Sequence, residues 1–293
     1  MKNFLHIEDL YKQYGDKVIL DNIDLSVKKG EICTLVGPSG CGKSTLLRII
    51  LGQELQSRGD ISIDGKDVGF ASSDRGIVYQ RYSLFPHLSV LENVMLGHTL
   101  EDGFFERRKN RKKYEKEAMF YLEKVRLGEH AHKYPHELSG GMQQRAAIAQ
   151  ALLKKPKILL MDEPFGALDP DTREDMQLFL LELWEENPMT IFFVTHDLEE
   201  ALFVGSRLLV LSQYYMDDRG KQAKDRGAKI VGDYLLDANV KSTDFKQSQE
   251  FKKLVKKIRS SGFDPENEQH VRDFNLNHPD SYQTLEDYED SSQ

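Results

Sequence analysis

Apolar and polar positions along this chain fall into short blocks whose period switches repeatedly between about two and about 3.6 residues. Residues 4–10 and 18–27 read as strands, with Tyr14-Gly15-Asp16 as the turn between them. Lys29-Gly30 leads into an apolar strand over 32–36, which ends in a glycine-rich loop and a helix over 43–51. Ile61-Ser62-Ile63 alternates like an edge strand before the Asp64-Gly65 turn, and 77–79 reads as another short strand. Ser89 and Glu92 have the spacing of a capping box, in which each side chain takes a backbone N–H of the other, and this starts a helix through His98. A long basic helix is expected from about Phe104 to Arg126, stopping at Gly128.

The second half continues the alternation. A helix follows Leu138-Ser139-Gly140-Gly141 and runs to about Leu153, then comes a strand over 157–161. Asp169-Pro170 places a capping carboxylate before a first-turn proline and opens a helix to about Glu186. A strand over 190–194, a short helix over 197–204 and a strand over 207–211 complete an α/β pattern, which implies a mostly parallel sheet covered by helices. Beyond Leu211 the pattern loosens into a polar loop over 212–228, a strand over 229–235 and a helix over 245–259, and the last thirty residues are expected to lack order.

Composition narrows the class. The 293 residues suffice for one large domain and an appendage. No apolar run approaches the roughly 18–20 residues that span a bilayer, and the start Met1-Lys2-Asn3-Phe4 opens no apolar leader, so the chain is expected neither to cross a membrane nor to be secreted. Two cysteines, Cys33 and Cys41, are too few for a disulfide framework and read as reduced thiols. Residues 264–293 carry nine acids and one base, so the whole net charge of −8 belongs to this tail. The rest is neutral, and charge gives no ground for a nucleic-acid partner.

Three motifs carry chemistry. Gly37-Pro38-Ser39-Gly40-Cys41-Gly42-Lys43-Ser44 fits a phosphate loop set between strand and helix. Its glycines let backbone N–H groups converge on phosphates, Lys43 suits the β- and γ-phosphates, and the Ser44 hydroxyl suits Mg²⁺. An incidental glycine turn would not require the strand, lysine, hydroxyl and helix together. Next, Ile158-Leu159-Leu160-Met161-Asp162-Glu163 is a buried strand ending in two carboxylates. Asp162 suits Mg²⁺ through water, and Glu163 suits orienting or deprotonating an attacking water. Finally, Ser139-Gly140-Gly141-Met142 opens a helix as a second anion site. One chain already has its phosphate loop, so this second site suggests a nucleotide shared between two chains.

With these motifs in this order, the sequence resembles the ATP-binding cassette (ABC) family over residues 3 to about 235. The resemblance implies a phosphate-loop cassette with a mostly parallel core sheet, an antiparallel β subdomain and an inserted helical subdomain at about 88–155. The ATP-binding domain would cover 1–240, with 241–293 as a helix and an acidic, disordered tail. Tyr14 resembles the aromatic that stacks on adenine, with a packing tyrosine as the alternative, and Thr45 completes the ATP-binding loop. Gln80 resembles the lid glutamine that touches Mg²⁺ and the attacking water, and His196 the switch histidine at the γ-phosphate. Asp169 resembles a residue that communicates across the dimer. Ser139, Gly140, Gly141 and Met142 would act on the partner's nucleotide; Met142 stands where the commonest family form has glutamine.

The implied protein is an ATPase using ATP and Mg²⁺, pairing with a second ATP-binding subunit, identical or not. It would sit peripherally on the cytoplasmic face of the plasma membrane, under permease subunits served by a solute receptor. The wording of its motifs is similar to bacterial importers of nitrate, sulfonate or taurine, and 84–97 would form the groove for a permease helix. A family member acting on ribosomes or DNA is the alternative, and a phosphate-loop ATPase or kinase of another family is a third reading. The basic run 107–113 reads as a solvated helix face or as a contact for anionic headgroups, and the tail as solvated or partner-binding.

Overall fold

The computed structural model describes residues 4–80, 84–99, 104–219, 226–236 and 248–281. The chain divides into two compact units, one of Met1–Ala71 with Thr190–Gln293 and one of Ser72–Met189. The second is thus inserted in sequence within the first, and it contains the 88–155 stretch expected to be helical.

The first unit holds an antiparallel sheet of β1 (Leu5–Tyr14), β2 (Lys17–Val27), β4 (Arg58–Ile63) and β5 (Lys66–Asp67), in the order β2-β1-β4-β5. Residues 61–63 therefore do not form an edge strand as expected. The Asp64-Gly65 turn folds β5 back onto β4, pairing Ile63 with Lys66, so β4 is flanked on both sides. A second run of paired strands in the unit goes from β13 (Asn275–Leu276) through β11 (Lys229–Leu235), β9 (Arg207–Ser212) and β3 (Ile32–Val36) to β8 (Thr190–Val194). In it β3 is parallel to both β8 and β9, while β11 lies antiparallel to β9. Every residue of β3, β8 and β9 is buried. Burial on both faces is why these strands read as continuous apolar runs instead of alternating ones.

Helix α1 (Lys43–Leu51) follows β3 and ends at Gly52, whose φ of 76° makes it a left-handed cap. A side chain at Gly52 would meet the Gly69 carbonyl at 2.7 Å, so glycine is required there twice over. Helix α6 (Leu198–Val204) and helix α7 (Gln249–Gly262) belong to the same unit. Phe251 and Ile258 of α7 pack with Leu202, Val210, Tyr215 and Val231.

Part of the last thirty residues departs from expectation. β10 (Tyr215–Met216) pairs with β12 (Gln269–His270), and β13 (Asn275–Leu276) pairs with β11. Val271 and Phe274 pack on the α7 cluster. Apolar anchors set singly among polar residues escape any periodicity, which hid this segment. The acidic stretch 282–293 and the expected helix start at Phe245 lie outside the described residues.

The second unit contains β6 (Arg75–Tyr79) parallel to β7 (Ile158–Asp162), with helices α2 (Val90–Thr99), α3 (Phe104–Lys124), α4 (Gly140–Leu152) and α5 (Pro170–Glu186). The capping box is formed: Ser89 N–H donates to Glu92 at 2.9 Å, and Glu92 N–H to Ser89 Oγ at 3.2 Å. α2, α3 and α4 pack on one another. α3 ends two residues before its expected limit because Arg126 turns left-handed, with φ of 59°. Among the described residues no helix is long and apolar enough to cross a membrane.

Candidate functional site

In the first unit, the phosphate loop leaves β3 at Val36 and enters α1 at Lys43. Gly40 and Gly42 have φ of 79° and 105°, conformations that side chains disfavour. Gly37 is held for a different reason: a Cβ there would lie 2.0 Å from the Leu211 carbonyl oxygen. Gly42 is the N-cap of α1 and, as a glycine, makes no side-chain cap bond. Lys43 is buried and its Nζ donates to the Gly37 and Pro38 carbonyls at 2.8 and 3.0 Å, folding the ammonium over the loop. Ser39, Gly40 and Ser44 are exposed, while Cys41 and Thr45 are buried. Burial pushes the Cys41 thiol up, which favours its neutral form.

His196 stands one strand away at the same sheet end. Leu35 of β3 is in register with Val194 of β8, and the Thr195 N–H donates to the Leu35 carbonyl at 3.1 Å. The loop around His196 is fixed by Thr195 Oγ donating to the buried Glu200 carboxylate at 2.5 Å and by Asp197 capping α6. His196 itself is exposed. Tyr14, the last residue of β1, is 46% exposed, with its hydroxyl bonded to the Glu54 carboxylate and Lys12 Nζ 4.9 Å from its ring centre.

In the second unit, Tyr79 and Asp162 are paired at the ends of parallel β6 and β7. Gln80 and Glu163 each follow by one residue, so amide and carboxylates gather at one sheet end, where ligands of α/β folds bind. Glu163 has φ of 47°, an uncommon left-handed backbone for a non-glycine residue. Gly166 backs Gln80 closely: a Cβ on it would sit 3.1 Å from Gln80 Nε2. Ser139 caps α4, its Oγ accepting from Met142 N–H at 3.3 Å, and it is exposed at the helix tip. Gly141 is pressed against Thr172, whose Cγ2 would be 2.7 Å from a Cβ. Asp169 caps α5 by accepting from Thr172 N–H at 3.1 Å, and this bond holds its carboxyl below the usual range.

The first unit thus brings together the loop Gly37–Thr45 and His196, and also carries Tyr14. The second brings together Gln80, Asp162 and Glu163, and also carries Asp169 and the Ser139–Met142 tip. Glu54, Lys12 and Glu200 were missed in the sequence. Lys12 had a signal, since two residues before Tyr14 on a strand it lies on the same face; the partnership of Glu54 with Tyr14 had none, because it arises from a turn.

The chain is similar to several known proteins. The family described as ABC transporter matches residues 20–166. The aliphatic sulfonates import ATP-binding protein SsuB of Bacillus anthracis is 44% identical over 203 residues, covering 69% of this chain and 77% of that protein. The nitrate import ATP-binding protein NrtD of a Synechocystis species is 44% identical over 212 residues, covering 71% and 77%. Among solved structures, the dimeric structure of a bacterial ABC transporter cassette matches with a TM-score of 0.59 and 35% identity, covering 70% of this chain and 93% of that one.

Proposed function

Since this chain belongs to the ABC transporter family and is one of its ATPases, we propose that it is the motor subunit of an importer for a small oxyanion such as a sulfonate or nitrate. The named relatives are import subunits for such anions, which supports this cargo class and gives the ribosome or DNA reading no support. The observation that carries the mechanism is the exposed Ser139 tip of α4, a second helix terminus suited to an anion in a chain that already has a phosphate loop.

In this reading, the N–H groups of Gly40–Thr45 and the Lys43 ammonium bind the triphosphate, and Tyr14 stacks on adenine. Ser44, Asp162 and Gln80 would hold Mg²⁺. A hydroxyl, one carboxylate and one amide are the hard oxygen donors this ion takes alongside phosphate and water. The ion would supply charge neutralisation of the triphosphate. Glu163 accepts a proton from the attacking water as the γ-phosphorus–oxygen bond to ADP breaks, and His196 contacts the departing phosphate. Ser139–Met142 of a second copy or a paralogue closes over the same nucleotide, and Asp169 relays that closure. Permease subunits take up the resulting motion, with 84–97 as their groove, which places the protein peripherally at the cytoplasmic face of the membrane; a receptor delivers the solute. The cassette would span 1–240, with its helical subdomain at about 88–155 and the extension beyond.

The test is Glu163→Gln. Hydrolysis should fall by about 10²–10³-fold with ATP binding intact, and the variant should elute as a dimer with saturating Mg-ATP. A variant that stays monomeric under those conditions overturns the shared-nucleotide mechanism. For cargo, ATPase activity of the reconstituted transporter should rise with receptor loaded with a sulfonate or nitrate; stimulation by a cationic solute alone would reject the oxyanion assignment.

A further inference from the structure

We propose that Glu54 and Lys12 form a tether that sets the orientation of the Tyr14 ring, making them positioning residues for the nucleobase. The inference rests on the reading of Tyr14 as the adenine aromatic, and it adds what determines that residue's pose.

The geometry is local to the first unit. The Tyr14 hydroxyl donates to Glu54 Oε1. Lys12 Nζ lies 2.9 Å from that same oxygen, also donates to the Leu55 carbonyl at 2.7 Å, and stands over the Tyr14 ring at 4.9 Å. The Lys12 and Glu54 side chains are mostly shielded, at 12% and 20% exposure, so their contact is less screened than a surface pair. The ammonium covers one face of the ring, and Tyr14 as a whole keeps nearly half its surface exposed. A base that stacks on this ring has the face away from Lys12 to use, and a ring pinned at its hydroxyl presents that face in one orientation. Pinning matters because a side chain ordered before binding need not lose that freedom on binding.

The tether also has a fixed origin. Glu54 follows the Gly52 turn that ends α1, and its N–H donates to the Arg48 carbonyl of that helix at 3.3 Å. Arg48 reaches Glu54 Oε2 at 3.5 Å and Thr45 Oγ1 at 3.5 Å. The helix that starts at the phosphate loop therefore ends at the carboxylate that holds Tyr14, so base and phosphate contacts share one rigid element. Burial pushes the Glu54 carboxyl up, but the bonds from Tyr14 and Lys12 outweigh it and hold the group below the usual range, as a carboxylate that accepts from both requires.

The experiment compares binding of ATP and of inorganic tripolyphosphate, which lacks a base, to the 293-residue chain and to Tyr14→Ala, Tyr14→Phe, Glu54→Gln and the Tyr14→Phe/Glu54→Gln double variant. Tyr14→Ala should weaken ATP by more than about tenfold, and the other two single variants by about three- to tenfold, the net scale of one ordinary hydrogen bond. All should keep wild-type affinity for tripolyphosphate, and the double variant should be no weaker than the worse single one. If Tyr14→Ala binds ATP normally, the adenine reading fails and the tether with it. If only Tyr14→Ala weakens ATP, the adenine reading stands and the tether is refuted. Additive losses in the double variant, or a Glu54→Gln loss of tripolyphosphate binding, also refute it.

Discussion

Glu163 combines the chemistry assigned to it with a backbone that few side chains tolerate. At φ of 47° it occupies a region that costs a non-glycine residue on the order of 1 kcal/mol or more. Glu163→Gly should therefore unfold at higher denaturant than Glu163→Ala, with a difference of about 1 kcal/mol in the two unfolding free energies, while both are inactive in ATP hydrolysis. Equal stabilities would mean that the turn carries no strain. Gly37 makes the opposite point, because its φ is unremarkable and its constraint is space. Gly37→Ala must displace the loop from Leu211, and ATP affinity is expected to drop by more than about tenfold, since the N–H groups act only when convergent.

Elements explain how far the sequence could be read. The strand–loop–helix unit of β3, the phosphate loop and α1 was legible because buried apolar runs, glycines and a lysine all constrain the same few residues. The caps at Ser89, Asp169 and Ser139 were legible for the same reason, as local bonds between neighbours in sequence. What lay beyond reach joins distant segments through polar groups. Arg207 of β9 is fully buried, bonded to Asp233 of β11 at 2.8 and 2.6 Å and 3.6 Å from Glu31, and the nearby His278 lies 3.3 Å from Glu31. Burial would lower the Arg207 pKa, yet the Asp233 bonds and the neighbouring anions outweigh that and raise it, so the cation persists. Arg207→Met leaves buried carboxylates without their cation and should destabilise the fold by about 3–5 kcal/mol in urea unfolding, with partial recovery on adding Asp233→Leu.

The same cluster gives a pH signature. Burial raises the Glu31 pKa, but the His278 bond and Arg207 more than offset this, so it lies below its ordinary value of 4.5. A depressed folded value means that the Glu31 carboxylate stabilises the fold fully above pH 4.5, and that this contribution disappears as pH falls through the folded value. The stability gap between the wild type and Glu31→Gln should therefore be widest near neutrality and close under acid, read as urea midpoints across the pH range. A gap independent of pH would separate Glu31 from the ion cluster.

At the scale of the molecule, charge is unevenly placed. Residues 282–293 contribute four acids and no base to a net charge of −8. Their deletion removes four negative charges and should strengthen adsorption to anionic vesicles at low salt, read by co-sedimentation of the full and trimmed chains. The segment just before them has a different task. Asn275 and Leu276 lie along Gly232 and Asp233 of β11, and Ser281 Oγ donates to Asp233 at 2.5 Å. A chain trimmed back to the end of β11 would expose a bare run of backbone donors and acceptors, which invites another molecule to add its own strand there. Shortening this protein to the minimal size of its fold would thus trade a tidy border for a sticky one, with insolubility as the visible result.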